Sequence, residues 1–474
     1  MSKKEDSLQR GLKARHLSMI ALGGAIGTGI FLAMGGTIHQ AGVGGAFVAY
    51  GIVGVMVYFL CTGLGEMATY LPETGSFGSY STKFIDPAFG FAMGWNYWYN
   101  WAITIAAEMV AGSIVMKFWF PQVPAMVWSA IFLVIIVGLN LLSARAYGES
   151  EFWFATVKVI TVIIFLIVGV LMIVGILGGK AQGFTNYFSN GGPFIGGSKS
   201  IFAIFLVAGF SFQGAELVGL TAGESENPER DVPKAVNTIF WRIVLFYLGT
   251  ILVIGAIIEP SQLTVTTSAF TLVFERVGLA GAASIMNAVI LTSVLSAGNS
   301  GMYASSRMLY AMAHDGMAPK IFGKTNKRGV PVNAIILTTI VASISFLTGS
   351  FGDGKVYTWL VAASGLSGFI AWLGIAMCHF RFRRAYIAQG NSIKDLPYKS
   401  KLFPLGPIIA FVLCFVSIIG QGYSNIGSNG IAWGDLISAY IGIPLFIGIF
   451  LYYKIRYKTK LVPLEEVDLS RSEK

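Results

Sequence analysis

Gly23-Gly24-Ala25-Ile26-Gly27-Thr28-Gly29 lies in the middle of an apolar run, Leu17 to Ala41, otherwise long enough to cross a bilayer as one helix. A glycine inside a helix costs about 0.5–1 kcal/mol relative to alanine, so this density of glycine at mid-depth favours an unwound turn. The bared N–H and C=O groups are tolerated in hydrocarbon only where protein or a water-filled cavity satisfies them, which is how secondary transporters build a midplane site. N–H groups opening the second half-helix suit a carboxylate, and carbonyls closing the first suit an ammonium. A glycine seam packed against a neighbouring helix is the competing reading.

Composition decides the class. The chain has 474 residues, 55% hydrophobic and 12% charged, with a mean hydropathy of +0.69, values that exclude a soluble domain. Apolar windows recur near 17–41, 45–70, 90–118, 125–143, 151–178, 200–220, 236–258, 281–311, 332–349, 356–379, 404–423 and 434–454. The expectation is an all-α polytopic membrane protein of twelve spans. The first window is too long, and too poor in a small-residue cleavage site, for a removable signal peptide.

Lysine and arginine set the orientation. Lys3, Lys4, Arg10, Lys13 and Arg15 share a side with Arg307, Lys320, Lys324, Lys327 and Arg328, with Arg381 to Lys401, and with Lys454 to Lys460, while the opposite loops hold scattered cations. The positive-inside bias puts both termini in the cytoplasm. The net charge of +10 is then an insertion and anionic-lipid signal, and no nucleic-acid partner is expected. Three cysteines, all in or at the ends of spans, imply neither a disulfide framework nor a thiolate site. The four histidines are scattered without ligand spacing, so no metal site or catalytic constellation is expected and the chain is not read as an enzyme.

Ionisable groups at membrane depth mark function or a costly structural bond. Glu66, near the cytoplasmic end of the second span, can meet interfacial water or a loop N–H. Glu108 falls mid-span after the aromatic run Trp95 to Trp101. Lys158 is a lone ammonium in an aliphatic fifth span, needing carbonyls or a carboxylate unless it snorkels to the headgroups. Glu216 lies mid-way along a sixth span whose run Phe210 to Gly223 mixes Ser211, Gln213, Gly214, Gly219 and Thr221 into apolar sequence. Breaks at corresponding positions of two five-span halves point to an inverted-repeat carrier with its site at the repeat interface. The halves show no sequence identity.

The segments GGAIGTGIF (Gly23 to Phe31) and FSFQGAELVGLTAGESENP (Phe210 to Pro228) resemble the amino acid permeases of the amino acid–polyamine–organocation superfamily. FGFAMGWNYWYNWAITIA (Phe89 to Ala106), MNAVILTSVLSAGNSGMYASSRMLYAMAHDGMAP (Met286 to Pro319) and SGFIAWLGIAMCHFRFRRAY (Ser367 to Tyr386) are similar to the bacterial lysine-importing members. So are DLPYKSKLFPLGP (Asp395 to Pro407) and YIGIPLF (Tyr440 to Phe446). The resemblance covers nearly the whole chain.

The resemblance implies that the N–H groups of Gly27, Thr28 and Gly29 hold the substrate carboxylate, that carbonyls near Ala25 and Phe210 hold the α-ammonium, and that Phe210 gates the site, with Ser211 beside it. Lys158 resembles the fifth-span lysine standing where sodium-driven relatives bind their ion, and Glu216 matches a sixth-span acid tied to proton sensing. Glu108 or Glu216 could face the side-chain ammonium of lysine. Gln213, Ser293, Asn299 and Ser364 are expected among the neutral groups that set selectivity, with interhelical bonding the alternative for Ser293 and Asn299.

The implied function is import of L-lysine into a bacterium across its cytoplasmic membrane by proton symport, with no cofactor and the proton as coupling ion. A lysine sensor acting through a membrane-protein partner, an exchanger and a permease of other specificity are the alternatives. Residues 1–16 form a cytoplasmic tail and 17–386 the transport core. Residues 387–454 add a loop and two spans, a scaffold or homodimer surface, and 455–474 a second tail. Segment 224–234 has a turn composition and is expected to lead into span seven as a gate element, and 259–280 to carry an external lid helix. Segments 387–403 and 455–474 are expected to be mobile.

Overall fold

The computed structural model describes residues 15, 19 and 26–471, except 74, 143, 180, 190, 226, 266, 279–280, 421, 423–425, 428–429, 432–435 and 437–438. Gly23, Gly24 and Ala25 lie outside them, so the carbonyl expected near Ala25 is not described. The chain is helical almost throughout: α1 Gly29–Tyr70, α2 Pro87–Met116, α3 Ala125–Asn140 and α4 Ala144–Ile173. There follow α5 Phe205–Phe212, α6 Leu217–Thr221, α7 Pro228–Ile257, α8 Ala282–His314, α9 Val332–Phe351 and α10 Asp353–Ala388. Last come α11 Leu405–Gly420 and α12 Gly442–Tyr457. Among the described residues, eight helical stretches are long and apolar enough to cross a membrane, and α3 and α11 are shorter apolar helices.

Two of the expected spans emerge as the arms of α1. The helix folds back at Gly42, whose φ of 75° and ψ of 170° lie outside any helix. A Cβ there would stand 2.5 Å from the Pro193 carbonyl oxygen, which accepts hydrogen bonds from the N–H groups of Gly44 at 2.8 Å and Gly45 at 3.1 Å. Glycine alone fits this corner.

α2 is the central post, packed along both α8 and α10. Its apolar residues surround the axis, so all faces must be covered by protein. It starts where Asp86 accepts from the Ala88 N–H at 2.8 Å with Pro87 in the first position, a capped and pre-shaped N-terminus. α4 instead divides its faces. Ile160, Ile163, Ile164, Ile167 and Val170 are exposed, whereas Glu151, Ala155, Lys158, Val162 and Phe165 are fully buried. The first set faces lipid and the second the protein.

The Glu66 end of the helix bundle is bolted by charge. Glu66 of α1 accepts from the Arg383 Nε of α10 at 2.6 Å, from a terminal guanidinium nitrogen of the same residue, and from the Ser400 N–H at 2.7 Å. The expected loop N–H partner is thus present, but so is a forked guanidinium, with both side chains almost fully buried. Removing one member of such a pair leaves the other charge bare and costs about 3–5 kcal/mol. Glu66→Gln should therefore lower the thermal unfolding temperature in detergent by several degrees or more.

Segments 387–403 and 455–474, expected to be mobile, are held down where described. Leu396 and Ser400 are buried. In the tail, Gln389 Nε2 donates to the Leu464 and Val467 carbonyls at 3.1 and 2.8 Å, Val467 and Leu469 are buried, and Arg471 pairs with Glu229 at 2.7 Å. Apolar residues spaced among the charges anchor this polar composition. α10 and α1 carry α11 on one flank, and α12 lies along α2. Segment 259–280 does carry a helix, Ala269–Arg276, its Ser268 cap donating to the Phe31 carbonyl at 2.7 Å and Phe270 meeting the Phe31 ring at 4.8 Å.

Candidate functional site

Both helix interruptions form. Ile26 and Gly27 are non-helical, and the chain enters α1 through a π-turn, Gly29–Ala33. Such turns recur at functional sites. In the sixth window the helix stops at Phe212, Gln213 turns to ψ 144°, and Gly214 takes φ 95°. The helix resumes as α6 only after Glu216.

The two breaks meet around a small cavity lined by Gly27, Gly29, Trp101, Thr104, Glu108, Phe210, Gln213 and Ala297. Its volume of about 10 Å³ is room for about one water molecule. A vestibule of about 550 Å³ lies on the side of the 259–280 segment, lined by α1, α5 and α10 through residues including Thr37, Val207, Lys355, Tyr357 and Trp359. Small-molecule sites occupy about 300–1,000 Å³. The vestibule is open, then, and the inner site is closed down.

Two buried polar atoms in the cavity wall have no hydrogen-bond partner among the described residues: Glu108 Oε2 and Trp101 Nε1. The other Glu108 oxygen accepts from the Thr28 hydroxyl at 3.0 Å. Native interiors rarely leave such groups bare, and a charged acceptor least of all. The cavity thus offers one acceptor and one donor beside a helix start.

These two breaks, with a buried carboxylate between them, decide the comparison with known proteins. The amino acid permease family matches residues 16–465. The chain belongs to the amino acid permease family. It is 53% identical to the lysine-specific permease of Escherichia coli strain K12 over 98% of this chain and 97% of that protein. Against the lysine-specific permease of Lactococcus lactis the identity is 54%, over 99% and 94%. The histidine permease of the same organism is 51% identical over 98% and 99%. The crystal structure of the Eremococcus coleocola manganese transporter shares the fold at a TM-score of 0.56 and 13% identity, over 97% of this chain and 99% of that one. The permease is accordingly a multi-pass membrane transporter.

Of the residues singled out from the sequence, Gly27, Gly29, Glu108, Phe210 and Gln213 line the cavity, and Thr28 touches it through Glu108. Ser364 sits one contact behind: its hydroxyl donates to Gln213 Oε1 at 3.0 Å, and Gln213 Nε2 donates back to the Ser364 carbonyl at 2.9 Å. Ser211 shares a hydrogen bond of 2.9 Å with the Tyr50 hydroxyl and marks the close crossing of α1 and α5.

Ser293, Asn299 and Glu216 are not in the lining. Ser293 donates to the Val289 carbonyl of its own helix at 3.0 Å, and the Asn299 side-chain oxygen accepts from Asn140 at 2.7 Å. Asn299 thus bonds across helices, whereas Ser293 bonds within its own helix. Glu216 folds back on its own turn. Its carboxylate accepts from the Gly214 N–H at 3.2 Å, the Tyr97 hydroxyl at 3.1 Å and Trp372 Nε1 at 3.2 Å. Three donors thus converge on this one acid.

Lys158 does not snorkel. It is fully buried, 3.7 Å from an equally buried Glu151, whose two oxygens accept from the Ser296 hydroxyl, each at 2.7 Å. Lys158 and Glu108 also interact electrostatically. Glu151, not among the residues singled out from the sequence, opens the fifth apolar window. The signal was its spacing, seven residues before Lys158, which puts both on one helix face. Thr104 and Ala297 were equally missed, as small residues in apolar runs.

Proposed function

We propose that the permease imports L-lysine across the cytoplasmic membrane of a bacterium by proton symport with alternating access, the vestibule facing outward and both termini facing the cytoplasm. The observation that carries this reading is the bare Glu108 oxygen in a cavity beside the start of α1. An amino acid with a cationic side chain brings a carboxylate for the helix N-terminus and an ammonium for the acid. The two lysine-specific relatives support lysine as that amino acid. The same observation admits histidine, since a histidine permease is nearly as similar.

The acids then divide the work. Glu108 is the substrate's countercharge. Glu216 is the proton-responsive acid, because protonating it would turn away one of the three donors that hold the α5–α6 turn, loosening the broken helix from which Phe210 projects. Lys158 with Glu151 stands in for the ion of sodium-driven carriers. Glu216→Gln should keep lysine exchange with a flattened pH dependence and lose accumulation, while Glu108→Gln should lose lysine affinity by about tenfold or more, the worth of a hydrogen bond to a charged group. Exchanged effects between the two variants would reverse the assignment. Inhibition of labelled lysine uptake by an amino acid panel decides the substrate: lysine should compete far more strongly than histidine or arginine.

A further inference from the structure

The chain beyond α12 runs across the face opposite the vestibule. α10 fixes that relation: Lys355 and Tyr357 near its start line the vestibule, and just past its far end Gln389 donates to the tail carbonyls of Leu464 and Val467. This far face is closed by rings from three elements. Tyr70 at the end of α1 meets Phe382 and Tyr386 of α10 with centroids 5.7 and 5.3 Å apart, and Phe84 of the short helix Ser76–Phe84 meets Phe382 at 5.5 Å.

The tail ties these same elements together from outside. It begins at the N-terminus of α2, where the Thr459 hydroxyl donates to Asp86 at 2.6 Å and the Val462 N–H to the Ile85 carbonyl at 2.8 Å. Along the end of α10 it buries Val467 and Leu469, and its Asp468 lies 3.7 Å from Lys83 of the short helix. It finishes on α1 and α7. There the Arg471 guanidinium sits 4.9 Å over the Tyr70 ring, donates to the Tyr70 carbonyl at 3.2 Å and pairs with Glu229 at 2.7 Å. Glu229 lies in segment 224–234, the gate element expected from the sequence, so the tail connects that element to the start of the α2 post.

A carrier with alternating access moves one group of helices against another to open its site to each side in turn. A strap bonded to α2, the short helix, α10, α1 and α7 opposes any such movement at this face while it stays in place. Its last bond is built to come apart: Arg471 and Glu229 are both exposed, and exposed ion pairs are individually weak. The strap can therefore let go of α7 without unfolding the helices beneath it.

We propose that residues 459–471 are a latch that holds the permease closed on the face opposite the vestibule and must release Glu229 before the inner site can empty there. The tail then sets how often the carrier turns over. The proposal goes beyond the transport reading above and uses it only for the lysine assay.

Two measurements test the latch. In the first, Glu229→Cys and Arg471→Cys are combined with Cys61→Ala, Cys378→Ala and Cys414→Ala, reconstituted in proteoliposomes and joined by a reducible bis-methanethiosulfonate linker about as long as the side-chain pair it replaces. Lysine exchange should fall to a small fraction of that of the single-cysteine variants treated alike, and return on reduction. In the second, Arg471→Ala is made with Cys61→Ala and Cys414→Ala, which leaves Cys378, fully buried with its Sγ 3.3 Å from the Ser81 hydroxyl of the short helix. N-ethylmaleimide should label Cys378 several-fold faster than in the same chain with Arg471 intact, because the short helix lifts more often. Cross-linked protein that exchanges lysine at the full rate, or Cys378 labelling unchanged by Arg471→Ala, overturns the latch. The labelling involves no lysine, so a failure of the transport reading, seen as no lysine exchange before cross-linking, is distinguished from a failure of the latch.

Discussion

Gly29→Ala is expected to abolish lysine uptake and lower thermal stability, whereas Gly27→Ala should still fold, with a smaller loss of stability, and lose substrate affinity. The difference comes from what a new Cβ would meet. At Gly29 it would run into the Cα of Ser211, with that residue's Cβ at 2.7 Å and Oγ at 2.6 Å. Those atoms belong to the backbone crossing of α1 and α5, which cannot yield without parting the helices. Overpacking of this kind costs about 1–3 kcal/mol, and here it separates the two halves of the site. At Gly27 the Cβ would meet the Ala297 Cβ at 2.9 Å and the Glu108 Oε1 at 3.0 Å. The second of these is the tip of a flexible side chain, which can move. The methyl group would nonetheless fill the cavity against its acid, and the KM for lysine should rise about tenfold or more. Uptake kinetics and thermal unfolding of both variants check this. Lysine binding at wild-type affinity by both would make the glycines a packing seam.

The second large effect is expected at Lys158. Lys158→Ala should remove proton-driven accumulation while leaving exchange. Alanine alone leaves Glu151 buried and unpaired, a destabilisation of about 3–5 kcal/mol, so the decisive variant neutralises both partners, Lys158→Met with Glu151→Gln. That pair of changes keeps volume and removes the bare charge. Loss of accumulation in the folded double variant assigns coupling to the ammonium. Normal pH-dependent accumulation would reduce the pair to a buried structural contact.

Hydropathy and charge placed the helices well because the bilayer imposes their length and leaves few alternatives. Among the described residues each apolar window overlaps helix, eight helical stretches being long and apolar enough to cross a membrane, and the turn at Gly42 falls between the first two windows. The breaks were legible for the same reason: Gly27, Gly29 and Gly214 are conspicuous where every neighbour favours helix. Side-chain pairings were less legible. Glu151 looks interfacial by position and is buried by helix periodicity. Ser293 and Asn299 carry the same polar signal as Gln213 and Ser364, and only packing shows that Ser293 bonds within its own helix and Asn299 to Asn140. The tail beyond Tyr457 reads as polar and loose, yet Val467 and Leu469 are buried and Gln389 ties it to the end of α10.

The central claim is concentrative, proton-driven lysine import. Its most direct test is labelled L-lysine uptake by proteoliposomes of the purified permease, with an inward proton gradient and no amino acid inside. The account predicts accumulation above the external concentration that collapses on adding a protonophore. Saturable lysine binding without accumulation, or accumulation that requires an internal amino acid, would contradict it.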